Sequence, residues 1–424
     1  MKTTTTITTK INNQRFEIEG DKAFMPLANF LRSEESLTGT KIVCAEGDCG
    51  ACTVLIAQDV GPDGLLSFKA VNSCILPLYL INGAQVVTVE GIGKSSGMNV
   101  ELHEVQQKMV DCNGAQCGYC TPGFICAMTG VAEKFKSEGK TLTEKNAKNY
   151  LTGNLCRCTG YQPIIDAMMS VDLKNTELMK DRYHSVEWIN EMSVIRNRTV
   201  EMKFSDKSIF LPAKLSEALE KKAAEQDIRL VAGSTDIGVI VNKGKLSTPK
   251  TMALYHIPEL GKISHDNNFI NVGATVTLTQ FEDYIESHFP EMSKLLHIFA
   301  SPQIKNQGTL IGNIVNASPI ADTIPFLMVS DALVELQSAK GIREVKLPDF
   351  YIGYKKLNMD PSEIVTKVKI PTLILNEKSK LYKVSMRKDL DISAVTFAGR
   401  IIVENGKMTS VKLALGGVAA TVVR

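Results

Sequence analysis

A chain of 424 residues with 44% apolar and 22% charged side chains is too long for one core and has the balance of a water-soluble protein of several domains. A formal net charge of +2 removes any electrostatic case for a nucleic-acid or membrane-surface partner. The opening MKTTTTITTK lacks the apolar centre of a secretory signal, and no run of about 18 apolar residues is present to span a bilayer, so the expected location is cytoplasmic.

The first segment, ITTKINNQRFEIEG, alternates apolar and polar residues and predicts a hairpin turning at Asn12-Asn13. PLANFLR places Leu27, Phe30 and Leu31 at helical spacing. CTVLIA and VVTVEGI read as buried strands. Just before the first of these strands lies CAEGDCGAC, which puts Cys44, Cys49 and Cys52 on one short loop, with Cys74 following. All ten cysteines fall between Cys44 and Cys158, in a chain too long for a disulfide-stapled scaffold, so metal ligation is the better reading. The x4/x2 spacing with one distant cysteine is the plant-type [2Fe–2S] pattern. Zinc prefers paired knuckles, which a lone Cys74 does not supply. Gly47 and Gly50 let the loop curl and aim amide N–H groups at sulfur.

A second group follows, Cys117-x2-Cys120 and Cys156-x-Cys158. Each pair runs into a helix start: Thr121-Pro122 after the first, and TGYQP before IIDAMM after the second. Partial positive charge at those helix ends favours an anionic cluster. Helices are expected over 102–112, 123–136, 143–151 and 162–172, with Phe124, Met128, Val131 and Phe135 on one face. Cys112 continues the stripe of Leu102, Val105 and Met109 and reads as core, whereas Cys126 lies off its helix's stripe and reads as a spectator. The six histidines are scattered and read as surface or core residues.

CAEGDCGACTV, GAQCGYCTPGF and GNLCRCTGYQPI together resemble the iron–sulfur region of the molybdenum hydroxylases, the xanthine dehydrogenase and aldehyde oxidase family, over about residues 7 to 170. The resemblance implies a β-grasp [2Fe–2S] ferredoxin domain over 1–92 and a four-helix-bundle [2Fe–2S] domain over 93–172. It implies that the cluster on Cys117, Cys120, Cys156 and Cys158 lies nearest the molybdopterin, with Gln116 hydrogen-bonded to that pterin.

Residues 173–198 are charged, lack a clear period over much of their length and read as a linker with a fragment of helix around Trp188, the only tryptophan. Strands and helices then alternate: SIFLP, LSEALEKKAAE and IRLVAG. RLVAGSTDIGVIV puts Gly233 after an apolar strand, where backbone N–H groups and the Ser234 and Thr235 hydroxyls can approach phosphate; a plain tight turn is the alternative. No G-x-G-x-x-G fingerprint is present. A second loop, NQGTLIGNIVNASPIADTIP, carries Gly308, Thr309, Gly312 and Asn313, so two loops are available for the two ends of a pyrophosphate.

These loops resemble the flavin domain of the same family, a vanillyl-alcohol-oxidase-type FAD-binding α+β fold expected over 199–375. An incomplete C-terminal flavoprotein subdomain is expected over 376–424. The resemblance implies FAD contacts from Leu230, Val231, Ala232, Gly233, Ser234, Thr235, Asp236 and Ile237 on the first loop. It adds Thr309, Leu310, Ile311, Gly312 and Asn313 on the second, and Phe299, Asp322, Val365 and Lys383 elsewhere. Tyr354 matches an aromatic on the nicotinamide side, while Leu390 stands where many members keep an acidic residue.

The resemblance therefore implies a multidomain α+β electron-transfer subunit of the xanthine dehydrogenase type. It would carry two [2Fe–2S] clusters and FAD, with NAD+ as acceptor. Its partner would be a large molybdopterin-binding subunit, in a dimer of heterodimers. A small subunit of an aldehyde or N-heterocycle hydroxylase, and a non-enzymatic metal or redox sensor, are the alternatives.

Overall fold

The computed structural model describes residues 3–96, 99–247, 249–266, 268–372 and 377–424. The expected boundary at 375/376 lies outside the described residues. The chain gathers into two units, the first made of Met1–Phe210, Ser234–Pro249 and Ser301–Asn306, the second of Leu211–Gly233, Lys250–Ala300 and Gln307–Arg424. Among the described residues no helix is long and apolar enough to cross a membrane.

In the first unit, β1 (Ile7–Ile11) and β2 (Gln14–Ile18) form the expected antiparallel hairpin. Asn12 and Asn13 both sit at positive φ, 49° and 70°, as a two-residue hairpin turn that follows the strand twist requires. β3 (Thr53–Val60), β4 (Leu66–Asn72) and β5 (Gln85–Val87) complete a sheet of order β2-β1-β5-β3-β4, in which β1 and β5 run parallel. The apolar stretch VVTVEGI is only half strand. After Thr88, whose amide donates to Asn12 Oδ1 at 3.0 Å, Val89–Ile92 winds into one helical turn.

Four helices follow, Glu104–Asp111, Thr121–Ser137, Glu144–Tyr150 and Gln162–Met169, close to the expected ranges. Their apolar faces do not close on themselves. Phe124, Met128, Val131 and Phe135 share one buried cluster with Leu55, Phe68 and Val87 of the sheet. The helix Thr121–Ser137 is buried on both sides, while Cys112, expected as core, packs only at the edge of that cluster from the end of another helix. Cys126, off the expected stripe, is fully buried, whereas Cys112 caps the end of its helix half-exposed, 3.9 Å from Ser170 Oγ. Leu102 is likewise exposed, so that stripe begins at Val105.

The expected linker 173–198 is packed. Met179, Tyr183, Trp188 and Met192 join the same cluster, and Val186–Arg196 is a helix started by Ser185, whose hydroxyl accepts from the Trp188 amide at 3.1 Å. The stripe is interrupted by that cap, which is why no continuous period shows in the sequence.

The second unit opens with the helix Leu215–Ala224 and a parallel strand pair, Arg229–Val231 beside Lys250–Ala253. A five-stranded antiparallel sheet runs in the order Ile263–His265, Phe269–Gly273, Ile364–Pro371, Leu333–Ser338, Gly341–Lys346. A three-stranded meander, Glu377–Val384, Val395–Glu404 and Lys407–Gly416, packs on the helix Thr323–Val329. The molecule is thus mixed α and β with more than one domain.

Candidate metal and cofactor sites

The ten cysteines are all free thiols. Cys44 neighbours both Cys49 and Cys74, and Cys74 in turn neighbours Cys52, so three thiols of one loop and the distant Cys74 form one chain of contacts. Sharing protons, the thiols split in character. The Cys49 and Cys74 contacts hold Cys44 well below the usual thiol range, and the same contact with Cys44 pushes Cys49 up. The amides of Glu46 and Cys49 both point at Cys44 Sγ from 3.5 Å. Gly47 and Gly50 sit at φ +81° and +67°, as the curled loop requires. Asn72 Nδ2 donates to Gly47 O at 2.7 Å and pins the curl to the end of β4.

In the second group, Cys117 Sγ and Cys158 Sγ are 3.4 Å apart, and Cys120 is hydrogen-bonded to Cys156. Burial first, and the Cys156 contact second, push Cys120 up to about 12. Burial works against a lowered Cys156, but the Thr159 hydroxyl at 3.1 Å and amide at 3.4 Å outweigh it. Cys120 caps the helix Thr121–Ser137, and Tyr161, at φ 71°, caps Gln162–Met169, so both pairs stand at helix starts. Cys117, Cys158 and Gln116 are exposed.

Neighbouring thiols in two groups of four suit a dinuclear cluster, in which each iron takes two thiolates. An all-thiol donor set with amides aimed at sulfur fits such a group.

The two cysteine groups are tied together. The Leu155 amide donates to Cys49 O at 3.0 Å, and Asn154 Nδ2 to Gly50 O at 2.9 Å. Gln303 Nε2 holds Asn154 Oδ1 at 2.7 Å. A Cβ on Gly50 or Gly123 would meet backbone oxygen at 2.2 Å, so glycine permits the loops to touch. The spacing of cysteines carries no signal for these amide side chains.

The expected flavin residues are less uniformly placed. Leu230 to Gly233 belong to the second unit and Ser234 to Ile237 to the first, the latter leading into the helix Ile237–Asn242. Gly233 packs against the second glycine loop itself: a Cβ there would lie 1.9 Å from Gln307 O, and Gln307 Nε2 donates to Gly233 O at 2.6 Å. The reason for that glycine is therefore contact between the loops, and the two loops do meet.

Thr309 caps the helix Leu310–Val315, its hydroxyl accepting from the Gly312 amide at 2.9 Å, and Asn313 Oδ1 accepts from Thr323 at 2.6 Å. Lys383 lies 2.7 Å from Asp322, both almost fully buried, and 5.9 Å from the centre of the Phe299 ring. Three of the four isolated residues are thus together. Val365 is buried in the five-stranded sheet opposite Leu336. Gln307 Oε1 is buried without a hydrogen-bond partner among the described residues, unused polar capacity that fits a polar cofactor at these loops. Tyr354 is exposed, and Leu390 sits at φ 65° in an exposed turn.

Three family models match. They are a [2Fe-2S] binding domain over 88–169, the FAD binding domain in molybdopterin dehydrogenase over 201–373, and the CO dehydrogenase flavoprotein C-terminal domain over 380–424. Xanthine dehydrogenase of Emericella nidulans is 30% identical over 96% of this chain and 34% of its own length. Xanthine dehydrogenase 1 of Arabidopsis thaliana is 29% identical over the same shares. The chain spans about a third of the length of these curated relatives. Among solved structures, quinoline 2-oxidoreductase from Pseudomonas putida 86 is 26% identical over 51% of this chain and 77% of that one, with a TM-score of 0.48.

Proposed function

Because the chain belongs to the molybdenum hydroxylase family, we propose that it is the electron-transfer part of a xanthine dehydrogenase. In this reading it carries electrons from a large molybdopterin-binding partner to NAD+, in a dimer of heterodimers acting on hypoxanthine and xanthine. When bound, two [2Fe–2S] clusters would supply one-electron steps and FAD the change to a two-electron hydride transfer.

Cys44, Cys49, Cys52 and Cys74 would hold the first cluster, in a β-grasp domain, and Cys117, Cys120, Cys156 and Cys158 the second, in a helical one. The amides of Glu46, Cys49 and Thr159 stabilise negative charge on sulfur, which raises the ease of reduction. Exposed Cys117 and Cys158, with Gln116, leave the second group open to a partner's pterin, while the first lies deeper. The Lys383–Asp322 pair, the Phe299 ring and the loops at Gly233 and Thr309 to Asn313 would seat the flavin.

The observation that carries the reading is that two four-thiol groups join through hydrogen bonds to the backbone carbonyls of Cys49 and Gly50. Metal and flavin analysis of the isolated protein tests it. Expected are about four irons and one FAD per chain, with two distinct [2Fe–2S] signals on reduction. A zinc protein without flavin would refute it. Purine-dependent NAD+ reduction by the complex with a molybdopterin subunit separates xanthine from aldehyde or N-heterocycle chemistry.

A further inference from the structure

The helix Ile237–Asn242 continues straight from the expected flavin residues Ser234 to Ile237, and it belongs to the same unit as the first cysteine loop. Every turn of it engages that loop. A Cβ on Gly238 would stand 2.4 Å from Ile75 O, so only glycine lets the helix lie against the residue after Cys74. Val239 packs on the cluster of Cys52, Cys74 and Ile75. Lys243 pairs with Glu46. At the helix end, Asn242 Nδ2 uses both of its hydrogens, donating to Ala45 O and to Cys74 O, each at 2.8 Å. Ala45 itself is held at φ 54°, a left-handed conformation that an alanine rarely adopts and that needs outside support.

We propose that Asn242 is the positioning residue that couples the flavin-loop segment to the first iron–sulfur site, holding the Cys44 and Cys74 arms together and setting that site's reduction potential. The inference rests on the functional reading above. Its physical basis is the direction of one amide dipole. The positive N–H end of Asn242 faces two carbonyl oxygens bonded into the ligand arms, offsetting their negative ends. Adding one electron to the site increases its negative charge, and Asn242 favours that form. By linkage, anything that seats Ser234 to Ile237 more firmly also seats Asn242, so flavin loading and first-site reduction assist one another.

The test is a redox titration of the holoprotein followed by electron paramagnetic resonance, with iron and flavin content measured on each sample. In N242D a carboxylate replaces the donor. The first-site signal should become harder to reduce by about a tenfold change in its equilibrium, about 59 mV for a one-electron couple. Its line shape should change and the second-site potential should stay fixed. N242L should move the first site in the same direction by less. Removing flavin from the wild type should lower the first-site potential, and in N242L this response should vanish. A first-site potential unchanged in N242D and N242L, with iron and flavin fully loaded, would overturn the inference and leave the cluster assignment standing. Absence of iron from the wild type would instead overturn the functional reading itself.

Discussion

Gly50→Ala isolates what holds the two cysteine loops in contact. Gly50 lies at φ +67°, where a side chain costs about 1–2 kcal/mol. Its new Cβ would fall 2.2 Å from Gly153 O and 2.5 Å from Asn154 Nδ2, so the backbone at 153–154 must retreat and the Asn154 bond to Gly50 O is strained. Overpacking of that kind costs about 1–3 kcal/mol more. Gly64→Ala is the matched control: φ is +78°, but nothing among the described residues lies within 4 Å of the added carbon, leaving only the backbone term. At about 2–4 °C per kcal/mol for a unit of 150–250 residues, G50A should unfold about 2–12 °C below G64A. Thermal circular dichroism of the holoprotein reads this, with iron content alongside. Equal midpoints for the two variants would show that the loops do not press on one another and would refute the argument.

Cys158→Ser should halve the iron content and remove one of two [2Fe–2S] signals, while NADH still reduces the flavin; purine-dependent NAD+ reduction surviving without that signal would contradict the proposed order. Gly312→Val should lower flavin content, because a carbon there lies 2.8 Å from the Thr309 hydroxyl that caps the loop's helix; unchanged flavin per chain would remove the loop from the site. Glu133 supplies a pH dependence. Burial pushes its carboxyl from 4.5 up to about 7, although it accepts from the Met179 amide. The folded chain then keeps a proton that the unfolded chain has released. The contribution of this group to stability is fully present below about pH 4.5 and is lost, by about 3 kcal/mol, as pH rises to about 7. Glu133→Gln should flatten that fall in unfolding midpoints measured across the window, and an unchanged slope would exclude Glu133 as its source.

The cysteine-rich half was legible because its signals are local. Asn12-Asn13 marks a turn, proline at 122 and 163 marks two helix starts, and the thiols are counted by spacing alone. What was not legible is how surfaces stack. Cys126 fell outside the expected apolar face because a helical stripe describes one buried face, and the helix Thr121–Ser137 has two. The segment 173–198 looked like a tether because its four buried side chains straddle the cap at Ser185.

The same limit decides how the second half reads. Gly233 was expected to admit a phosphate, yet its missing Cβ admits the Gln307 carbonyl. A glycine reports only that something stands close, and a sequence cannot say whether that neighbour is ligand or chain. Loops that press on each other still suit a pyrophosphate, since their amides are then fixed before the ligand arrives and little ordering remains to oppose binding. Asn154, Asn242 and Gln303 follow the same logic at the cysteine loops. Each is a lone amide without periodicity or motif; Asn154 and Asn242 satisfy carbonyls that a curled loop leaves unpaired, and Gln303 holds Asn154 in place. Thiols point to the metal, and these amides hold the loops that carry them. Substitution at the amides should therefore alter potentials and line shapes before it alters iron content, whereas substitution at the cysteines should do the reverse.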